Sequence, residues 1–432
     1  MTPVGVRPSP VNAGSPPAPT RRPSARRPWR LAGALAAAAL LLGAGGVLLA
    51  PRLLHPGPPK ICADDALQSR ALDGLAIFAG WLRDNDVPGY VGEVGWPAGP
   101  DEQRWAALAD TWYRAADAIG LPVTAWAAAS WPADYPMAVY RRGAGSTSLN
   151  TAGPQSEVVQ EHPSTSRVLR GVVLAGGSFG GADSNPAFSS SRPGRYGYDY
   201  SYENSAGYTY LAGQGIRLVR LTVSWERLQP VPGKALNPTE LIRLRTALAQ
   251  AAQVGIAVIL DLHNYGSFAA GGGPRPKQLV LGSPELPVSR LADLWSRLAK
   301  ATGGDRALVG YDILNEPVKL AAQGADGARL WEQASQASVD AIRAAGSTRT
   351  IAVTAYGQTG PAQIGQVHPR AWIDDPLHRT VYEAHAYFDD DSSGHYADGY
   401  TAALGRLPHV TAGRSCHVFR GLAASNPTFA AS

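Results

Sequence analysis

The sequence predicts an α/β fold, an eight-stranded (β/α)8 barrel behind a single transmembrane helix. Three observations predict it. From residue 90 to residue 387, apolar and β-branched runs alternate with helix-period segments, a pattern that produces parallel sheets. Eight such runs can be read, the number that closes a barrel. Residues 31–50, LAGALAAAALLLGAGGVLLA, carry no polar side chain, and a helix of that length crosses the ~30 Å hydrocarbon layer of a bilayer. An open doubly wound sheet is the rival fold, but no GxGxxG follows the first run.

Residues 1–30 are rich in Pro, Ser and Arg and read as a disordered basic tail on the cytoplasmic side. Arg21, Arg22, Arg26, Arg27 and Arg30 precede the apolar run and only Arg52 closely follows it. The positive-inside bias therefore makes it a signal-anchor with the remainder outside the cell; secretion after signal-peptide cleavage is the competing expectation. Residues 51–60 read as a Pro-rich spacer. The net charge of +5 comes from this leader: residues 1–60 hold seven Arg and one Lys and no acid, which leaves 31 basic against 34 acidic residues beyond them. A mildly acidic folded part argues against a nucleic-acid partner.

The strand-like runs are 90–96, 123–131, 168–175, 216–224, 256–262, 308–314, 350–356 and 380–387. Helical periodicity is clearest at 105–120, 238–255 and 329–346. Residues 61–140 hold two strand-and-helix units and 168–409 hold six. Between them, 141–167 is Gly, Ser, Thr and Pro-rich without a period and reads as a joining loop. Residues 410–432 read as an irregular tail.

In a barrel, polar residues at the carboxyl ends of strands face the active site. Here such positions carry Glu93, Trp126, Arg220, His263, Asn264, Asn315, Glu316, His385 and Tyr387. One strand-end Glu is more often an ion-pair partner than a catalyst. Two of them fit a retaining glycosidase, which needs a protonated carboxyl and an ionised one about 5–5.5 Å apart. No HExxH, paired His or Cys cluster supports a metal site, and the Asp389, Asp390, Asp391 string lacks calcium-ligand spacing. Neither metal nor cofactor is expected.

The motifs VGEVGWP (91–97), LRGVVLAGG (169–177), VRLTVSWERL (219–228), DLHNYG (261–266), ILNEP (313–317) and YEAHAYFD (382–389) resemble those of glycoside hydrolase family 5, the cellulase family. The resemblance covers about residues 70–135 and 168–400. It implies that Glu316 is the general acid/base and Glu93 the nucleophile. Arg220 and Asn315 match positions that bond the nucleophile and the sugar 2-hydroxyl, His385 and Tyr387 positions that orient the carboxylates, and His263 a sugar-contacting or supporting histidine. Asn264 stands beside it in the same motif. Trp126 matches the family's platform tryptophan, on which an apolar sugar face stacks; Trp96, Trp131 and Trp225 could serve a subsite or packing. Burial and anionic Glu93 should raise the pKa of Glu316.

The motif order departs from the family's, in which the nucleophile strand is seventh; here it comes first. The expectation is a circular permutation, with the family's strands seven and eight ahead of strands one to six. Cys62 and Cys416 would then flank one gap and could close it as a disulfide. The expected function is a retaining β-glycosidase, most readily an endo-β-1,4-glucanase acting on a β-linked polysaccharide or oligosaccharide at the membrane. The alternative is a non-catalytic sugar-binding remnant made of two incomplete barrels; what separates the two is whether Glu93 and Glu316 share one mouth.

Overall fold

The computed structural model describes residues 58–182, 184–272, 275–389, 394–407, 416–422 and 429. Each expected run forms a strand: β1 Gly89–Gly95, β2 Val123–Ala129, β3 Arg170–Leu174, β4 Leu218–Val223, β5 Ala257–Leu262, β6 Leu308–Asp312, β7 Thr350–Thr354 and β8 Thr380–Tyr387. Neighbours in the chain pair in parallel all the way round, and β1 pairs with both β8 and β2, so the sheet closes on itself.

The helices that cover this ring are set by local signals. Helix α1 is Ala66–Asp84, α2 Glu102–Ile119, α3 Gln155–Glu161, α4 Ser205–Gly213, α5 Pro238–Gln253, α6 Val288–Thr302 and α7 Gly324–Ala344. Asn237 caps α5 by accepting from the Thr239 and Glu240 amides, with Pro238 in the first turn where no N–H is needed. In α2, Trp105, Leu108, Ala109, Trp112, Ala115, Ala116 and Ile119 recur at three- and four-residue spacing and are buried. Gly120 ends that helix at φ 73°, a conformation a side chain resists.

Inside the ring, Tyr90, Leu218, Ile259, Val309 and Val381 form an apolar floor together with Phe429, whose ring lies edge-on to Tyr90 at 5.2 Å. Side chains two residues apart on a strand share a face. The next inward positions are therefore Gly92, Arg220, Asp261 and Glu383, and above them come His263 and His385. A polar layer rests directly on the floor.

Two expectations need correction. Residues 141–167 are not a structureless loop: Tyr140–Arg142 pairs in parallel with the end of β2 and antiparallel with Leu149–Ala152, and α3 follows. Strands of three and four residues are too short to register a period. His162 then ties the segment to α2, with Nδ1 2.6 Å from Asp117 Oδ2 and Nε2 3.1 Å from Asp110 Oδ1. The tail is not irregular throughout either. Cys416–Val418 pairs antiparallel with Lys60–Cys62, and a disulfide joins Cys62 to Cys416. Residues 1–30, the expected span 31–50 and residues 51–57 lie outside the described residues. Among those described, no helix is long and apolar enough to cross a membrane.

Candidate active site

The carboxyl ends of the strands bring the expected acids together. Glu93 projects from β1, and Glu316 follows β6 at a backbone φ of 37°, a strained conformation for a side-chain-bearing residue. Carboxylate oxygens of the two lie within 4.8 Å of each other and of an imidazole nitrogen of His385. The two halves of the sequence thus meet in one mouth, which removes the basis for a remnant of separate incomplete barrels.

Glu93 is held at both oxygens. Arg220 Nη1 donates to Oε1 at 2.7 Å and the Tyr387 hydroxyl donates to Oε2 at 2.6 Å. Asn315 Oδ1 accepts from Arg220 Nη2 at 3.0 Å, which aims its amide nitrogen away from the guanidinium. Glu316 Oε1 lies 2.9 Å from His385 Nδ1, and Oε2 accepts from Gln358 Nε2 at 3.1 Å. His263 Nδ1 lies 2.8 Å from Asp261 Oδ2, and its ring stacks on Trp126 at 5.7 Å and 16°. Trp126 in turn donates its indole N–H to the Tyr135 hydroxyl.

Asn264 faces a different set of groups. Its Oδ1 accepts from the Trp225 amide and its Nδ2 donates to Glu226, so its side chain braces the loop after β5. Trp96 and Trp225 are buried packing residues, whereas Trp131 turns toward the cleft. The cleft beside the paired acids has a volume of about 250 Å³ and is lined by Trp126, Trp131, Phe179, Phe188, His263 and Tyr265. Indole and phenyl faces there can take the apolar face of a sugar ring. A larger cavity of about 530 Å³ opens among residues 299–304 and 345–349, at the opposite, amino-terminal end of the strands, and touches none of these residues.

The electrostatics correct one expectation. Burial does push the Glu316 carboxyl up, but the hydrogen bond from His385 and the charge behind it outweigh burial, and the net shift is downward. Burial likewise works against a charged His385; Glu93, Glu316 and Glu383 overcome it and raise the imidazole well above its ordinary value. The proton therefore belongs to a His385–Glu316 pair and rests mainly on the imidazole. Burial, then Glu93, raises the Tyr387 hydroxyl, which stays a donor.

Sequence reasoning missed the layer beneath. Arg220 is fully buried and pairs not only with Glu93 but also with Asp261 at 3.1 Å, Asp312 at 2.7 Å and Glu383 at 3.4 Å. The signal was present: Asp261 and Glu383 each stand two residues before a chosen histidine, and alternation puts each pair on one face. Gln358 and Tyr135 come from loops after β7 and β2 and had no such signal. Glu93, Glu316 and His385 are the one cluster among the described residues whose atoms could converge on a metal ion. Each is already engaged with the others or with Arg220, Tyr387 and Gln358, so an ion there would have to break the contacts that orient both acids.

The sequence signature described as Cellulase (glycosyl hydrolase family 5) matches residues 181–413, more than half of the chain. The manganese-dependent endoglucanase Eg5A of Phanerodontia chrysosporium is 27% identical over 227 residues, covering 47% of this chain and 54% of that protein. Endo-β-1,4-glucanase B of Aspergillus niger is 28% identical over 218 residues, covering 50% and 60%. Among solved structures, the endoglucanase Cel5A of Pseudomonas stutzeri in complex with cellobiose is 37% identical, covering 53% of this chain and 62% of that one with a TM-score of 0.45. The chain thus spans between half and two thirds of the length of these relatives. With more than half of its length under that signature, the chain belongs to the cellulase family, glycosyl hydrolase family 5.

Proposed function

We propose that the protein is a retaining endo-β-1,4-glucanase, with Glu93 as nucleophile and Glu316 as general acid/base. One observation carries the reading: facing carboxylate oxygens within 4.8 Å of each other fit the close pair, ~5–5.5 Å between carboxyl groups, of double displacement better than the about 6.5–9.5 Å of inverting enzymes. Glu93 attacks the anomeric carbon while the glycosidic C–O bond breaks and the leaving oxygen takes a proton from Glu316. That proton reaches Glu316 across the 2.9 Å contact with His385. Water then attacks the glycosyl-enzyme, giving its proton to Glu316 and releasing Glu93. Arg220 and Tyr387 hold and aim Glu93 through both its oxygens, His263 and Trp126 form a wall for the sugar, and Asn264 supports that wall. The β-1,4-glucan assignment draws on the activities named for the matched relatives. Proton NMR of cello-oligosaccharide hydrolysis is expected to show the β-anomer first; initial α-anomer, or no turnover of any β-glucan, would sink the proposal.

We further infer that the strand order is a circular permutation of the family's. Support comes from the matched stretch, which starts after β3 and runs past β8, while Glu93 lies ahead of it on β1, the ring neighbour of β8. A gene re-cut so that residues 168–432 run directly into 58–167, which keeps Phe429 and the strands and helix of 140–161, is expected to yield a soluble, active barrel. An insoluble or inactive product would count against the inference.

A further inference from the structure

Beneath the reacting acids lies a fully buried carboxylate that the double displacement leaves without a task. Glu383 sits two residues before His385 on β8, so both point into the barrel. Its Oε1 lies 3.2 Å from His385 Nε2 and 3.4 Å from Arg220 Nη2, and its Oε2 accepts from the Thr354 hydroxyl at 3.0 Å. The other imidazole nitrogen faces Glu316 at 2.9 Å and Glu93 at 3.5 Å. We propose that Glu383 is a positioning residue for the reaction: it fixes the imidazole of His385 with Nδ1 toward Glu316, and so couples the acid/base to a buried anion. The proposal rests on the assignment of Glu316 made above.

The chain makes room for this arrangement. A Cβ on Gly92 would stand 1.5 Å from Glu383 Oε1, although Gly92 has no positive φ to require a glycine. The glycine just before Glu93 is thus there for space, and the carboxylate of Glu383 occupies it. An imidazole whose two nitrogens both face carboxylates is satisfied only when both carry hydrogen. Glu383 is itself held ionised. Burial works against that, but Arg220, then His385, and the Asp312 carboxyl outweigh it and bring Glu383 to about 2, while burial and then Glu383 push Asp312 far up.

The groups facing this chain of atoms are Tyr90 and Glu93 on β1, Arg220 on β4, Asp261 and His263 at the end of β5, Asp312 and Glu316 at the end of β6, Thr354 on β7, and Tyr387 on β8. Glu383→Gln leaves all of them in place. Removing an anion 3.2 Å from the imidazole weakens the hold of the His385–Glu316 pair on its last proton. The active form needs that proton, so the alkaline limb of kcat/KM should move to lower pH by about one unit or more. kcat should fall with KM little changed, and Glu383→Asp, which keeps the charge, should restore the limb.

The experiment is a pH profile of all three proteins on a soluble β-1,4-glucan, with histidine-labelled NMR titration of the parent. A limb shift in the Gln variant, reversed in the Asp variant, supports the proposal. A folded Gln variant that is slower at every pH with its limb unmoved overturns it. If the Gln variant does not fold, the titration decides: an imidazole of His385 that stays doubly protonated well above pH 6.5 supports the proposal, and one that titrates near 6.5 refutes it. The titration reads out even in a parent that cleaves no glucan, so failure of the enzymatic assignment remains distinguishable.

Discussion

Glu93→Gln and Glu316→Gln each lower kcat on a soluble β-1,4-glucan by about 10³-fold or more, and the two losses differ in kind. Gln keeps the volume and the hydrogen-bonding reach of Glu but can neither attack an anomeric carbon nor give up a proton. For Glu93→Gln the loss should persist with every substrate, because without the nucleophile no glycosyl-enzyme forms. For Glu316→Gln it should shrink when the leaving group is a phenol of low pKa, since such an oxygen departs without a proton. The second step still needs a base, and azide, which attacks without one, should speed it. Steady-state assays on glucan and on an aryl cellobioside make the comparison. Parent-like activity in either variant on glucan would remove the assignment of that residue.

The second large effect is on folding. Arg220 is a buried guanidinium among four carboxyl groups, Glu93, Asp261, Asp312 and Glu383. Removing one partner of a buried pair strands the other and costs about 3–5 kcal/mol, so Arg220→Leu should lose that much in urea denaturation. Arg220→Lys should fall between, since one ammonium cannot reproduce a planar fork with donors for separate oxygens. The loss depends on pH. Glu383 lies at about 2 in the fold against an ordinary 4.5; a depressed carboxyl stabilises the fold above its unfolded value, and that stability disappears as pH falls through the folded one. The gap between parent and variant should therefore be widest above about pH 4.5 and narrow toward pH 2. A Leu variant as stable as the parent at pH 7 would show that the acids lose their charge without consequence, contrary to this account.

Most of the barrel and its upper rim were legible in the chain. Alternation of β-branched runs with helical periods marks strands that are buried on both faces, and the residues that end such strands must point into the mouth. Glu93, Glu316, His385 and Tyr387 could therefore be picked out before any distance was known. The short strands at 140–142 and 149–152 escaped because three or four residues hold no more than two periods of alternation. The Cys62–Cys416 disulfide was expected from the permuted order, and it forms; the antiparallel pairing of Cys416–Val418 with Lys60–Cys62 around it escaped because runs of three residues carry too little alternation.

The expected upward shift of Glu316 failed for a related reason. Its shift depends on which nitrogen of His385 faces it and on what charges that imidazole, a balance of Glu93 and Glu383 that only exists once β1 and β8 lie side by side. Alternation alone, a property of neighbouring residues on one strand, determined which side chains face the barrel interior. Closure of the ring decided which of them share a proton, because the energy of a buried charge is set by groups within a few ångströms in space, whatever their separation along the chain.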